Sequence, residues 1–499
     1  MKVLHVRSLR VMSIVALGLP GVVGCRHDSN ATQTTAVTIA PRPQAVVPSD
    51  GEIAKAIGRF IREDPAMVGQ APDVMVTEGI ASLSGSVGNL LAREKAGEIA
   101  GTIRGVRSVV NRITVAASAR TDDDIKSEVL RVLREDHPDR ANALGASVKG
   151  GIVTLSGATK TWQEKALLLD ECKAVAGVRG VEDTVVFKTA GSLRSQAEIA
   201  SEVKRRIDND VWLDGQVFTV AASAGRVKLS GWVGAFGQKL RANADAWVAG
   251  VDSVDDDGVL VDWTARDEQR RVLDVPYRTD GQVAQAVRDA FSYDPRLKAA
   301  EPEVVVDGCV ATLSGNVQGA FARRAAESDA KNTLGVCEVH DQALSPPLRS
   351  PPTDADIDRA AKIALSGDHF LPSPGSIRVS TSKGRVALTG SVESGLERLD
   401  AEGVVGDVPG VAGVDNQLAV TRTPTDVKAA FEDYLYWDAM VRPNRVGIAV
   451  AADGTATLTG TLDSWGETRA ATHDALRAGA SRVVNLIKVK GSPEFSAKR

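Results

Sequence analysis

The chain has 499 residues, a formal net charge of −4, 43% hydrophobic and 25% charged residues, and 4% aromatics. That is longer than one ordinary domain, too apolar for wholesale disorder, and without the basic excess of a nucleic-acid binder. Few aromatics beside many Ala, Val and Gly suit small repeated sheets better than one large enzyme core.

In chain order, residues 1–25 read as a signal peptide. Lys2, Arg7 and Arg10 precede an apolar run from Val11 to Leu19, well short of the ~18 residues of a spanning helix. Val22-Val23-Gly24-Cys25 resembles the lipobox of bacterial lipoproteins. The resemblance implies cleavage before Cys25, its acylation, and a periplasmic chain anchored to a membrane by lipid. Several acyl chains on one residue anchor firmly, because each buried methylene contributes ~0.8 kcal/mol. Arg26 is not the Asp that marks inner-membrane retention in some bacteria, so the outer membrane is expected. Residues 26–48, rich in Thr, Ala and Pro, read as a flexible tether.

Beyond the tether the sequence repeats. Ala81-Ser-Leu-Ser-Gly85 returns as Val153–Gly157, Val227–Gly231, Ala311–Gly315, Val386–Gly390 and Ala456–Gly460, the last two with Thr for Ser. Nineteen or twenty residues later stand Gly105, Gly177, Gly250, Gly335, Gly410 and Gly479, each followed by Val except Gly479-Ala480. Six residues past these glycines stand Asn111, Asp183, Asp256, Asp341, Asn416 and Asn485, leading into a short apolar run.

Each unit opens on an amphipathic helix: Ile53, Ile57 and Ile61 recur every four residues, as do Ile125, Val129 and Leu133, and Ile199, Val203 and Ile207. An Asp-x-x-apolar step closes it in five units, for example Asp210 and Leu213. A strand, a Gly-containing turn such as Glu78-Gly79, and the Leu-Ser-Gly strand predict a hairpin. The Leu-Ser-Gly glycine is expected to let a helix approach closely. A second helix ends at the later glycine as its left-handed cap, and the apolar run is a third strand. A strand-helix-strand crossover is right-handed and returns this strand parallel to the second.

The expected fold class is therefore α+β: six tandem α-β-β-α-β domains, each a three-stranded mixed sheet with two helices on one face. Their bounds are 49–117, 120–189, 194–263, 278–347, 352–422 and 424–491, with a linker at 264–277 dividing two halves and a tail at 492–499. Each unit is expected to fold on its own, with the leucines of the repeated phrase inside.

This pattern resembles tandem BON-domain proteins (bacterial osmotically inducible and nodulation). The residues that carry the resemblance are the Leu-Ser/Thr-Gly phrase and the Gly-Val-x-x-Val-x-Asn/Asp close. It extends over nearly all of 49–491 and carries over as structural glycines: Gly85, Gly157, Gly231, Gly315, Gly390 and Gly460, and Gly105, Gly177, Gly250, Gly335, Gly410 and Gly479. The family implies an envelope protein linked to osmotic stress that binds phospholipid headgroups or envelope proteins. A passive spacer is the alternative.

No enzyme, metal or cofactor is expected. Ser84, Ser156, Ser230 and Ser314 have no recurring base to activate them, and Asp122-Asp-Asp124 lacks the ligand spacing of a calcium loop. Trp212, Tyr434, Tyr436 and Trp437, at first-helix ends, are candidates for membrane or partner contact, with packing on their own sheets as the competing reading. Cys309 and Cys337 begin two strands expected to be parallel neighbours, so a disulfide is predicted between them, with three independent core cysteines as the competing reading. Cys172 is expected to be a buried apolar residue.

Overall fold

A computed structural model describes residues 48–489 except 65–66, 68–69, 117–119, 137–143, 188–193, 215, 265–277, 298–300, 318, 342–351, 368–370, 372–373, 407, 409, 412 and 422–423. The signal with Cys25, the tail, and all but one end residue of the tether and of the 264–277 linker lie outside the described residues.

The helices are α1 (Asp50–Glu63) and α2 (Leu90–Thr102) in unit one, and α3 (Asp122–Asp136) and α4 (Trp162–Ala174) in unit two. Unit three has α5 (Gln196–Asn209) and α6 (Phe236–Asp245), and unit four α7 (Asp280–Tyr293) and α8 (Gly319–Lys331). Unit five has α9 (Asp354–Gly367) and α10 (Gly395–Gly406), and unit six α11 (Pro424–Trp437) and α12 (Trp465–Arg477).

Between and after each pair run the strands. In unit two Gly145–Lys149 is antiparallel to Ile152–Thr159, which is parallel to Gly180–Phe187. The other five sheets repeat that pattern. Both helices of a unit pack on each other and on the sheet, as α-β-β-α-β requires.

The repeated phrase explains the core. Leu83, Leu155, Leu229, Leu313, Leu388 and Leu458 are all buried, as are the Ala or Val two residues before each. Strand residues alternate faces, so the Ser or Thr between them points the other way. The first helices start on side-chain caps: Ser49 with Glu52, Ser195 with Glu198, and Thr279 with Gln282 form reciprocal capping boxes.

The hairpin turns have both central residues at positive φ in five units, for example Glu78 (50°) and Gly79 (73°). This is the primed turn that matches strand twist. A carboxylate at the start of the first helix binds the turn amides: Glu78 and Gly79 donate to Asp50 at 2.8 and 3.0 Å, and Gly150 and Gly151 donate to Asp122 at 2.7 and 2.8 Å. Asp280 and Asp354 accept from turn amides in the same way. The acidic run at 122–124 thus ties a helix to its hairpin, with Asp124 held by Thr121.

Two glycine expectations are corrected. The Leu-Ser-Gly glycine does not admit a helix. A Cβ on Gly390 or Gly460 would strike the carbonyl of Ser376 or Arg445, at the start of the antiparallel first strand. The later glycine does not cap its helix in unit one either: α2 ends at Thr102, Ile103 is extended, and Gly105 (φ 89°) lies beyond it. A Cβ there would sit 2.6 Å from Ile53 Cδ1, so the glycine lets this turn close over the first helix. Gly250 meets Ile199 and Gly335 meets Val283 in the same way. Unit six, with Ala after its glycine, is where Gly479 does close the helix. Gly479 N–H donates to Leu476 and Ala480 N–H to Ala475, both at 3.0 Å, the Schellman pattern.

The described residues of the six units form one compact body. Units one, two and six share a hydrophobic cluster, while three, four and five each have their own. The larger contacts between units are made by helices and their end turns: α2 with α4 and α6, α10 with α12, and α12 with the turn Val211–Leu213. Second helices therefore lie between units, while sheets keep a face with exposed side chains. No helix among the described residues is long and apolar enough to cross a membrane.

Candidate functional site

In units three and six the end of the first helix bridges to another unit. In unit three Asp210 follows α5 and opens the short turn Val211–Leu213. Asp210 and Thr333, at the end of α8, form an antiparallel bridge. Val211 N–H donates to Asn332 at 3.0 Å and Leu334 N–H donates to Asn209 at 2.8 Å. Trp212 Nε1 donates to Asn332 Oδ1 at 3.0 Å. Unit six repeats the contact on unit one, with Asp438 bridging to Ile103. Arg104 N–H donates to Trp437 at 2.7 Å and Ala439 N–H donates to Thr102 at 3.1 Å.

These contacts place the aromatic candidates. Tyr434 is 1% exposed, its ring 4.6 Å from that of Phe60 and its hydroxyl donating to Glu63 at 3.2 Å. Tyr436 is 43% exposed, with the Arg104 guanidinium 5.4 Å from its ring centre and Trp437 packed edge-on. Trp212, Tyr434 and Tyr436 thus touch other units of this chain.

A second feature recurs at the same place. Asp245, Asp329 and Asp474 each stand fourteen residues past the Leu-Ser/Thr-Gly glycine, on or at the end of the second helix. Each faces the Asp that ends the first helix of its unit: Asp210, Asp294 and Asp438. Oδ2 of Asp245, Asp329 and Asp474 is buried without a donor. Burial, then the neighbouring carboxyl, raises one carboxyl of each pair against the pull of nearby arginines. Asp210 is pushed up to about 7 despite Arg241, and Asp329 to about 8 despite Arg296 and Arg206. Asp474 lies well above the usual carboxylate range. Two carboxyls that cannot both ionise hold one proton between them.

The pairs of units three and four line one cavity of about 390 Å³ between units two, three and four, together with Arg205, Arg241, Arg296 and Tyr293. The repeated Asp was legible in the sequence as a three-fold coincidence; its orphaned oxygens were not.

A pH dependence follows. A carboxyl whose pKa is raised on folding keeps a proton that the unfolded chain has released, so stability falls as pH rises through the folded value. His473 runs the other way: burial, with Arg477 and Lys95 nearby, lowers it to about 4, so its contribution rises with pH up to its ordinary value of 6.5. Stability should therefore decline from about pH 6.5 to about pH 8.5. Urea midpoints at these two pH values check it, and Asp329→Asn should flatten the decline. A midpoint that rises over this range contradicts the shared proton.

Cys309 and Cys337 form a disulfide with Cα atoms 5.4 Å apart. Cys172 is buried in α4, its thiol pushed up to about 12 by burial. The recurring Asn tacks the third strand to the second helix: Asn111 Nδ2 donates to Arg93 at 2.6 Å and Asn416 Nδ2 to Arg398 at 2.7 Å.

Comparison with known proteins adds the following. A sequence model of the BON domain matches residues 49–117, 121–189, 195–261, 279–344, 353–422 and 425–491. Over 147 residues, 28% of this chain and 73% of the relative, the sequence is 29% identical to osmotically-inducible protein Y of Escherichia coli strain K12. Two structures of CdsD, a structural protein of the type III secretion system of Chlamydia trachomatis, align at 15% and 17% identity. They cover 46% of this chain and all of theirs, with a TM-score of 0.12.

Proposed function

The chain belongs to the BON-domain family, and on that premise we propose that it is a non-catalytic envelope protein of the osmotic stress response that binds phospholipid surfaces or envelope proteins. The match of six segments to the BON domain and the similarity to an osmotically inducible protein support this reading. Cys25 anchors it to a membrane, the outer one by the residue that follows; loss of the membrane-bound form in Cys25→Ala is the test.

The observation that carries the binding reading is which faces the assembly leaves free. Second helices contact other units, and the aromatic helix ends of units three and six are engaged within the chain. The sheets keep a face with exposed aliphatic side chains: Met75 and Val305 on first strands, Val186, Leu260 and Leu486 on third strands. Isolated apolar residues on a polar sheet bind weakly, and five such sheets on one anchored body act together.

Co-sedimentation of residues 26–499 with phosphatidylglycerol vesicles tests it. Binding that weakens when Met75 and Leu486 are both changed to Asp supports the sheet faces as the contact. Protein that stays in the supernatant with anionic and neutral vesicles alike leaves the chain as a spacer, with reach and rigidity as its contribution.

A further inference from the structure

The two bridges between units are the same contact made twice. The third unit docks on the fourth, and the sixth docks on the first. Other contacts follow the same division. In the first half, Gln163 at the start of α4 donates to the carbonyl of Trp247 past the end of α6. In the second, Gly395 at the start of α10 lies against the carbonyl of Ala480 past the end of α12. Within each half the first and third units also touch: Gly101 packs on Phe236, and Arg469 donates to Val336 at 2.8 Å.

We propose that units one to three and units four to six are two equivalent halves that dock on each other through a paired helix-end interface, and that swapped charges fix which unit docks on which. Beside the bridge of the third unit, Arg205 on α5 pairs with Asp289 on α7. At the same positions beside the bridge of the sixth unit, Asp433 on α11 pairs with Arg59 on α1. Counted back from the aspartates that end the helices, Arg205 and Asp433 both lie five residues before, and so do Asp289 and Arg59. The next contact also changes partners while keeping position. Arg206 sits 4.4 Å over the ring of Tyr293, and Tyr434 donates to Glu63. The third unit offered to the first would set Arg205 against Arg59, and the sixth offered to the fourth would set Asp433 against Asp289. Repulsion against the wrong partner is how specificity is built where the attractive contacts are alike.

A backbone difference sets the direction of docking. The docking units must donate an N–H from the residue after the helix-ending Asp, and there they carry Val211 and Ala439. The receiving units carry Pro65 and Pro295 at that position, which have no N–H to give. Each half therefore ends in a unit able to dock and begins with one able only to receive.

The test uses the full chain and amide hydrogen exchange. Arg205→Asp should speed exchange at Val211 and Leu334 roughly five- to tenfold, since a partly exposed ion pair is worth little and its reversal adds repulsion. Exchange at Arg104 and Ala439, in the other interface, should stay as in the parent. Adding Asp289→Arg should restore protection, because the charges are then those of the sixth unit on the first. Val211→Pro should open the same interface without touching a charge. Protection at Leu229 and Leu313, in the cores of units three and four, separates undocking from unfolding. If those cores open as well, Arg205→Gln, which removes the attraction alone, must still speed Val211 selectively. Unchanged exchange at Val211 in Arg205→Asp, or no recovery in the double variant, overturns the charge code.

Discussion

Leu155→Ala is expected to destabilise unit two by about 2–5 kcal/mol, the range for truncating a buried leucine that leaves a cavity. Leu155 is 0% exposed on the central strand of its sheet, paired with Ala146 on one side and Asp183 on the other. Two helices cover it, and the strand cannot shift to fill the gap because both neighbours hold its register. Unit two shares its cluster with units one and six, so part of the loss should spread to them. A single transition does not define the stability of a six-domain chain; unit-resolved hydrogen exchange does. A change below about half a kcal/mol, the scale of an ordinary surface substitution, would put the side chain on the wrong face.

Loss of the Cys309–Cys337 disulfide is expected to cost unit four about 3 kcal/mol, the loop-closure value for a crosslink of this span. The two cysteines are 28 residues apart, joining the hairpin turn to the start of the third strand. Cys309 has φ 73°, at the turn position where the other units place Gly79, Gly151, Gly225, Gly384 and Gly454. The crosslink therefore stands against a strained left-handed conformation that costs on the order of 1 kcal/mol or more. Two variants separate these effects. Cys337→Ala loses the bond and keeps the strained residue, whereas Cys309→Gly loses both. The second should be the more stable by hydrogen exchange at Ala311 and Leu313. Equal stability would mean the turn carries no strain, and no loss in either would mean the bond contributes nothing.

Each unit was legible in the sequence because its elements are short and its signals local. Leu83 and its equivalents announce a strand by alternation, Ile53, Ile57 and Ile61 a helix by spacing, and the crossover rule then leaves one topology. The partner chosen by the end of each helix was not legible. Trp212 and Tyr434 read as aromatics at a helix end, and nothing local says that the surface they cover belongs to a unit over a hundred residues away. The two glycine roles were misread for a related reason. A glycine marks a close approach without naming what approaches, and Gly390 and Gly105 meet a strand carbonyl and an isoleucine brought there by the fold. Asp210 and Asp245 show the same limit, since two carboxyls 35 residues apart become one proton-holding pair only when α5 and α6 pack.

Small-angle scattering of residues 49–491 tests most directly that the six units are one packed body. A compact chain of that length has a radius of gyration of about 22 Å, and the account predicts a value near it with a bell-shaped Kratky profile. A radius roughly half as large again, with scattering that fits separate domains on flexible linkers, would contradict the packed assembly while leaving each domain intact.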